Sequence, residues 1–173
     1  MNIKWLALGF LFSLTTVLAV PPSADEVMAQ AKTKATAENK AIYVHFGASW
    51  CGWCKRLDSF LERPDIKAPF EKYFVPVKLV AQENEQNKAL ENASSDAWLK
   101  KLGGPSGLPF SAFLDATGTL IVNSKRASDG QNIGHPMAPE EVDWFVAMMK
   151  KAAPKISADD LKTIETALRT QKK

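Results

Sequence analysis

Apolar residues along the chain follow two periods, and each change of period has a recognisable stop. Residues 41–46, AIYVHF, are β-branched and aromatic and predict a short buried strand. Residues 74–80, FVPVKLV, predict a second strand, and Pro76, which has no N–H for a ladder, assigns it to a sheet edge. Residues 110–114 and 119–123 predict two more strands, joined by Asp115-Ala116-Thr117-Gly118, a hairpin signal. Elsewhere the spacing is helical. Ser23 and Glu26 form a capping box before a helix that runs to about Lys40, with Val27, Met28 and Ala31 on its inner side. Leu57, Phe60 and Leu61 share a face of a helix over residues 51–62, which Pro64 ends. A polar stretch over residues 82–92 leads to a helix over 96–102 and a glycine-rich loop at 103–107. Pro139 opens a helix with Glu140 and Glu141 in its first turn and an inward stripe of Val142, Phe145, Val146 and Met149. Ser157 caps a last helix that turns Leu161, Ile164 and Leu168 inward. Residues 124–137 read as an irregular connection.

This order of helix, strand, helix, strand, helix, hairpin and two helices predicts an α/β domain: one mixed sheet with helices on both faces. At 173 residues, 46% of them hydrophobic and 24% charged, the chain has the composition of an ordinary globular domain. The net charge of +3 comes from scattered residues, so no nucleic-acid partner is expected, and the RTQKK tail reads as a solvated, frayed end. The first residues change the picture more. A short positive start is followed by an apolar run over residues 5–18 and a Val17-Leu18-Ala19 cleavage pattern, the layout of a secretory signal peptide. The run is short for a membrane span, and cleavage near Ala19 would give a periplasmic or secreted protein; the alternative is an uncleaved anchor.

Export alters the meaning of the two cysteines, Cys51 and Cys54, in SWCGWCK. Outside the cytosol a pair can persist as a structural disulfide, but a bridge closing so short a loop removes little chain entropy. The pair lies where a strand hands over to a helix. Cys51 therefore stands at the helix N-terminus, where free N–H groups and the dipole favour a thiolate, with Cys54 one turn further in and more buried. An acidic, exposed thiol and a second thiol at fixed distance are what disulfide exchange needs. Gly52 allows close backbone approach, while Lys55 and Arg56 either support the anion or point to solvent.

The segment Ala48-Ser49-Trp50-Cys51-Gly52-Trp53-Cys54-Lys55 after its strand, together with Gly107-Leu108-Pro109-Phe110 before another, resembles the active site of thioredoxin-family proteins. The resemblance covers roughly residues 38–151 and implies a thioredoxin-like fold with extra helices at both ends: leader 1–19, N-terminal helix 20–37, thioredoxin-like domain 38–151, C-terminal helix and basic tail 152–173. It implies that Cys51 attacks and Cys54 resolves. It also implies that Pro109 follows a cis bond and that the backbone of Leu108 pairs with an extended substrate. Trp50 is expected to pack as a support, and Trp53 to be an exposed platform or a surface contact within the protein. The family's buried acidic residue on the strand before the dithiol is His45 here, either a proton shuttle or a core histidine bonded to backbone. The segment over residues 82–104 is longer than in compact thioredoxins and either shapes a partner surface or is elaboration.

Together these readings predict an exported thiol–disulfide oxidoreductase acting on cysteine-containing proteins without a cofactor, reducing or isomerising them. A reductant outside the cytosol must be recharged, which implies a membrane electron donor. Two alternatives stay open. The domain could be a non-catalytic interaction module. It could also bind copper or zinc through the cysteines with His45 and His135, although structural zinc wants four ligands and His135 reads as a solvated loop residue. No G-x-S-x-G elbow, phosphate-binding loop, dinucleotide fingerprint or carboxylate pair points to another chemistry.

Overall fold

In the computed structural model, residues 20–104 and 107–171 are described. The expected leader over residues 1–19 and the last two lysines lie outside them. Helix α1 (Ala24–Glu38) starts from the predicted box: Ser23 Oγ accepts from Glu26 N at 3.2 Å and Glu26 Oε2 accepts from Ser23 N at 2.8 Å. It ends slightly earlier than expected, because Asn39 takes the left-handed conformation that closes a helix. Strands β1 (Ala41–Gly47), β2 (Phe74–Val80), β3 (Phe110–Leu114) and β4 (Leu120–Asn123) lie in the order β2-β1-β3-β4. β1 pairs parallel with β2 and antiparallel with β3, and β3 pairs antiparallel with β4, so the sheet is mixed and Pro76 sits on an edge strand.

Alternation along β1 divides the interior. Tyr43 belongs to an aromatic cluster with Phe70, Phe74, Phe113 and Phe145, covered by α2 (Gly52–Leu61), α3 (Pro64–Glu71), α5 (Pro139–Ala152) and α6 (Ala158–Arg169). Ile42, Val44 and Phe46 face a largely aliphatic cluster under α1 and α4 (Ser95–Lys101). The expected inward stripes of α5 and α6 are all buried. The structure is therefore an α/β thioredoxin fold, its four-stranded mixed sheet flanked by helices. No helix among the described residues is long and apolar enough to cross a membrane.

Three local expectations change. Pro64 does not simply end α2: it is the first residue of α3, where a missing N–H costs nothing. The polar segment before α4, for which no element is predicted, carries a 3-10 turn over Glu85–Leu90. Gln171, part of the tail that reads as frayed, is docked on the domain. Arg169 pairs with Asp143 and Glu165, and Gln171 Nε2 donates to the carbonyls of Leu168 and Pro136. At the other end of α6, hydrogen bonds from Lys72, Tyr73 and Ser157 hold the Asp160 carboxyl down to about 2.

Candidate active site

Strand β1 delivers the chain to the cysteines. Gly47 is its last residue, and Cys51 N then donates to the carbonyl of Ala48 at 3.1 Å, a tight turn into α2. Cys51 is the N-cap of α2, and its Sγ accepts the N–H of Cys54 at 3.1 Å. The two sulfurs form a disulfide with Cα atoms 5.3 Å apart. Both cysteines are buried, Cys51 5% and Cys54 2% exposed, so the expected contrast in exposure is slight in the oxidised form. The difference between them lies in position: the helix-end N–H reaches only Cys51.

The floor under Cys54 is glycine for a steric reason. A Cβ on Gly47 would stand 3.1 Å from Cys54 Cβ and 3.4 Å from its Sγ. A Cβ on Gly52 would meet nothing within 4 Å, so the space at the first residue of α2 is open.

One turn beyond Cys54 along α2 stands Asp58, and two residues back along β1 stands His45. They meet: His45 Nε2 lies 2.8 Å from Asp58 Oδ1, and Lys78 Nζ lies 2.6 Å from Asp58 Oδ2. His45 and Lys78 face each other in the β1–β2 register. Burial pushes the Asp58 carboxyl up, but the hydrogen bonds from His45 and Lys78 outweigh it and hold Asp58 below the usual carboxylate range. The ionised Asp58 accepts, so His45 carries its proton on Nε2 and turns Nδ1, buried and without a partner among the described residues, the other way. His45 is therefore a core histidine bonded to a side chain rather than to backbone. Its cluster lines a cleft of about 320 Å³ between α2, α3 and the edge strand.

The approach to Cys51 is braced by the long 82–92 segment. The buried carboxylate of Glu83 accepts from the N–H and, at 2.7 Å, from the Oγ of Ser49, to which Asn87 also donates at 2.9 Å. Trp50 is half-exposed, not packed; its Nε1 donates to the Gln82 carbonyl at 2.9 Å. Trp53 is also half-exposed, with Arg56 over one side of its ring at 5.2 Å and His135 stacked at 6.3 Å. Lys55 is exposed to solvent.

The Leu108–Pro109 bond is cis, and Leu108 packs against the cluster formed by Ala48, Cys51 and Cys54. Pro109 is buried. Beside it runs a groove of about 550 Å³ bounded by Trp53, Leu108, Ile133 and Met137. His135 belongs to this wall and is not a solvated loop residue. It is 4% exposed, lies edge-on to Phe60, and meets Gln171 Oε1 at 2.6 Å through Nε2. Burial, reinforced by Arg56, holds its pKa below the ordinary histidine value. His45 and His135 thus serve different flanks of the dithiol. Among the described residues no group of three potential ligands could hold a metal.

Three residues of the site are not singled out by the sequence: Asp58, Glu83 and Asn132, whose Nδ2 donates to the carbonyls of Gly107 and Pro109. Asp58 carries a readable signal, its spacing of four from Cys54 on one helix, while the other two meet their partners only through the tertiary fold.

A strand-to-helix CxxC pair packed against a cis-proline loop defines a thioredoxin-like thiol–disulfide oxidoreductase fold. Residues 24–116, more than half of the chain, match the family model described as thioredoxin-like. The chain belongs to that family. It is similar in structure to a disulphide isomerase from Xylella fastidiosa Temecula1, at 20% identity and TM-score 0.54 over 77% of this chain and 99% of that one. Weaker likenesses are to a DsbH oxidoreductase (18%, TM-score 0.43, 95% and 96% covered) and to the oxidised C-terminal domain of Neisseria meningitidis DsbD (19%, 0.47, 75% and 99%). No curated protein matches the chain at a significant level.

Proposed function

We propose that this protein is exported and exchanges disulfides with cysteine-containing proteins through Cys51 and Cys54, working as a reductant or isomerase. The observation that carries this reading is the helix-end hydrogen bond to Cys51 Sγ beside Leu108, whose backbone makes no hydrogen bond among the described residues. In the reduced protein the Cys51 thiolate attacks one sulfur of a substrate disulfide, and the other sulfur leaves as a thiolate that takes a proton from water. Cys54, deprotonated, then attacks Cys51 in the mixed disulfide. The Cys51–substrate bond breaks, the second substrate thiol is released, and two electrons have passed from the dithiol to the substrate. For isomerisation the released substrate thiolate attacks elsewhere in its own chain before Cys54 acts.

The resolving step needs a base for the Cys54 proton. His45 suits it: its Nδ1 has no partner among the described residues, its Nε2–H is held by ionised Asp58, and it stands on the same sheet face as Gly47, on which Cys54 rests. The cleft beside it offers a way out for the proton. Regeneration as a reductant calls for a membrane electron donor, and the leader-like residues 1–19 support a site of action outside the cytosol.

Trapping tests the assignment. Cys54→Ala is expected to accumulate mixed disulfides with substrate proteins through Cys51, and Cys51→Ala far fewer. Equal trapping by the two variants would overturn the roles. Protein recovered from the cytosolic fraction of its host with Met1 intact would overturn the export reading.

A further inference from the structure

Asn132 takes no part in exchange chemistry, yet every hydrogen-bonding position of its side-chain amide is committed next to the dithiol. Its Nδ2 donates to the carbonyls of Gly107 and Pro109, each at 3.0 Å. Its Oδ1 accepts from Ser124 Oγ at 2.7 Å and from Gly134 N at 3.3 Å. Only the nitrogen end can serve two carbonyls, so the amide has one orientation. The two carbonyls flank Leu108, whose own N–H and C=O make no hydrogen bond among the described residues. Holding the neighbours on both sides fixes the direction of that free edge without occupying it.

The far end of the same loop is also tied down. Gly134 lies against the Pro109 ring, where a Cβ would come within 3.7 Å of Pro109 Cδ. His135 Nε2–H donates to Gln171 Oε1, whose own amide nitrogen is bound to the carbonyls of Leu168 and Pro136, and the imidazole sits against Trp53 and Phe60. The loop at 132–138 is thus pinned to the proline loop by Asn132 and to the chain end by His135.

We propose that Asn132, backed by the His135–Gln171 pair, is a positioning residue that holds the Leu108 backbone edge and the adjoining groove wall as a preformed docking strip for an extended, cysteine-bearing polypeptide. This rests on the oxidoreductase reading above and specifies how its substrate is held. Edge pairing needs backbone on the substrate, and a strip already in place spares the cost of ordering the loop on binding. Losing it therefore weakens substrate docking and leaves the sulfur chemistry intact.

The probe is a short peptide carrying a glutathione mixed disulfide, turned over by the full chain with excess glutathione as the reductant that returns Cys51–Cys54 to the dithiol. For Asn132→Ala the expected result is a KM about ten-fold higher from the two lost donors, with kcat within about two-fold. Cys51 should still react with iodoacetamide at the wild-type rate. Asn132→Asp, which keeps an acceptor but faces two carbonyls with a carboxylate, should raise KM at least as much. Gln171→Leu, at the edge of the fold, should raise KM about three-fold, and it decides the matter if the Asn132 variants do not fold. An unchanged KM in the folded variants, or a loss confined to kcat, overturns the proposal while the oxidoreductase reading stands. A wild-type protein that exchanges with no peptide disulfide removes both.

Discussion

The two flanks of the dithiol each hold one buried histidine, equally hidden at 4% exposure, with Nε2 on an oxygen and Nδ1 unpartnered among the described residues. Under Cys54 the oxygen belongs to Asp58, a carboxylate also paired with Lys78. Beside Leu108 it belongs to the neutral amide of Gln171. A carboxylate can share a proton placed on the ring, whereas an amide only fixes the ring in space. Two histidines alike in burial thus differ in the charge of the partner they meet, a carboxylate on one flank and an amide on the other. The proposed proton transfer belongs to the charged flank, and the neutral one holds a wall of the groove.

The largest effect should come from breaking the charged flank. His45→Gln should slow resolution of a trapped mixed disulfide on the order of 100-fold, the usual scale for a lost general base. Its formation by Cys51 should be nearly unchanged, as read by stopped-flow with a mixed-disulfide peptide. A variant that resolves normally but melts earlier would make His45 purely structural. A steric test of the same flank is smaller. Gly47→Val adds a side chain where Cys54 already sits 3.1 Å from the Cβ position, and should cost about 2 kcal/mol in urea unfolding through overpacking. No loss of stability would mean that the floor under Cys54 has slack.

The neutral flank gives the smallest effect, visible through pH. Burial keeps the His135 pKa down in the folded protein, with Arg56 lowering it further and the Gln171 bond and Glu141 opposing. As pH falls through about 6.5, the unfolded chain takes up the proton before the folded one does. The contribution of His135 is therefore full above that pH and declines below it, down to the lowered folded value. Urea unfolding at pH 7.5 and 5.5 should show a drop for the wild type that is smaller for His135→Gln. Equal drops would remove the distinction between the flanks.

Much of the site is legible in the sequence alone. The dithiol, its helix end and the proline loop are contiguous motifs, and the residues around them obey local rules of capping and periodicity. Asp58 is easily passed over because on a helix surface an acidic residue usually faces water, and it is the parallel β1–β2 register that sets His45 beside Lys78 under it. His135 is hidden for a stronger reason. Its partner Gln171 is 36 positions away, at an end that reads as frayed, and only the packing of α6 against α3 and α5 brings the two together. Pro64 is ambiguous in itself, since the same missing N–H that ends one helix suits the first turn of the next.

Local sequence specifies the order of the strands and of every α-helix but α3, the faces they bury and the dithiol at a helix mouth, because each depends on side chains a few positions apart. Tertiary structure alone decided which histidine meets a carboxylate, which meets an amide, and that Asn132 straddles Leu108. Those pairings join residues far apart in the chain, and no local pattern of polarity encodes the neighbours that a fold supplies.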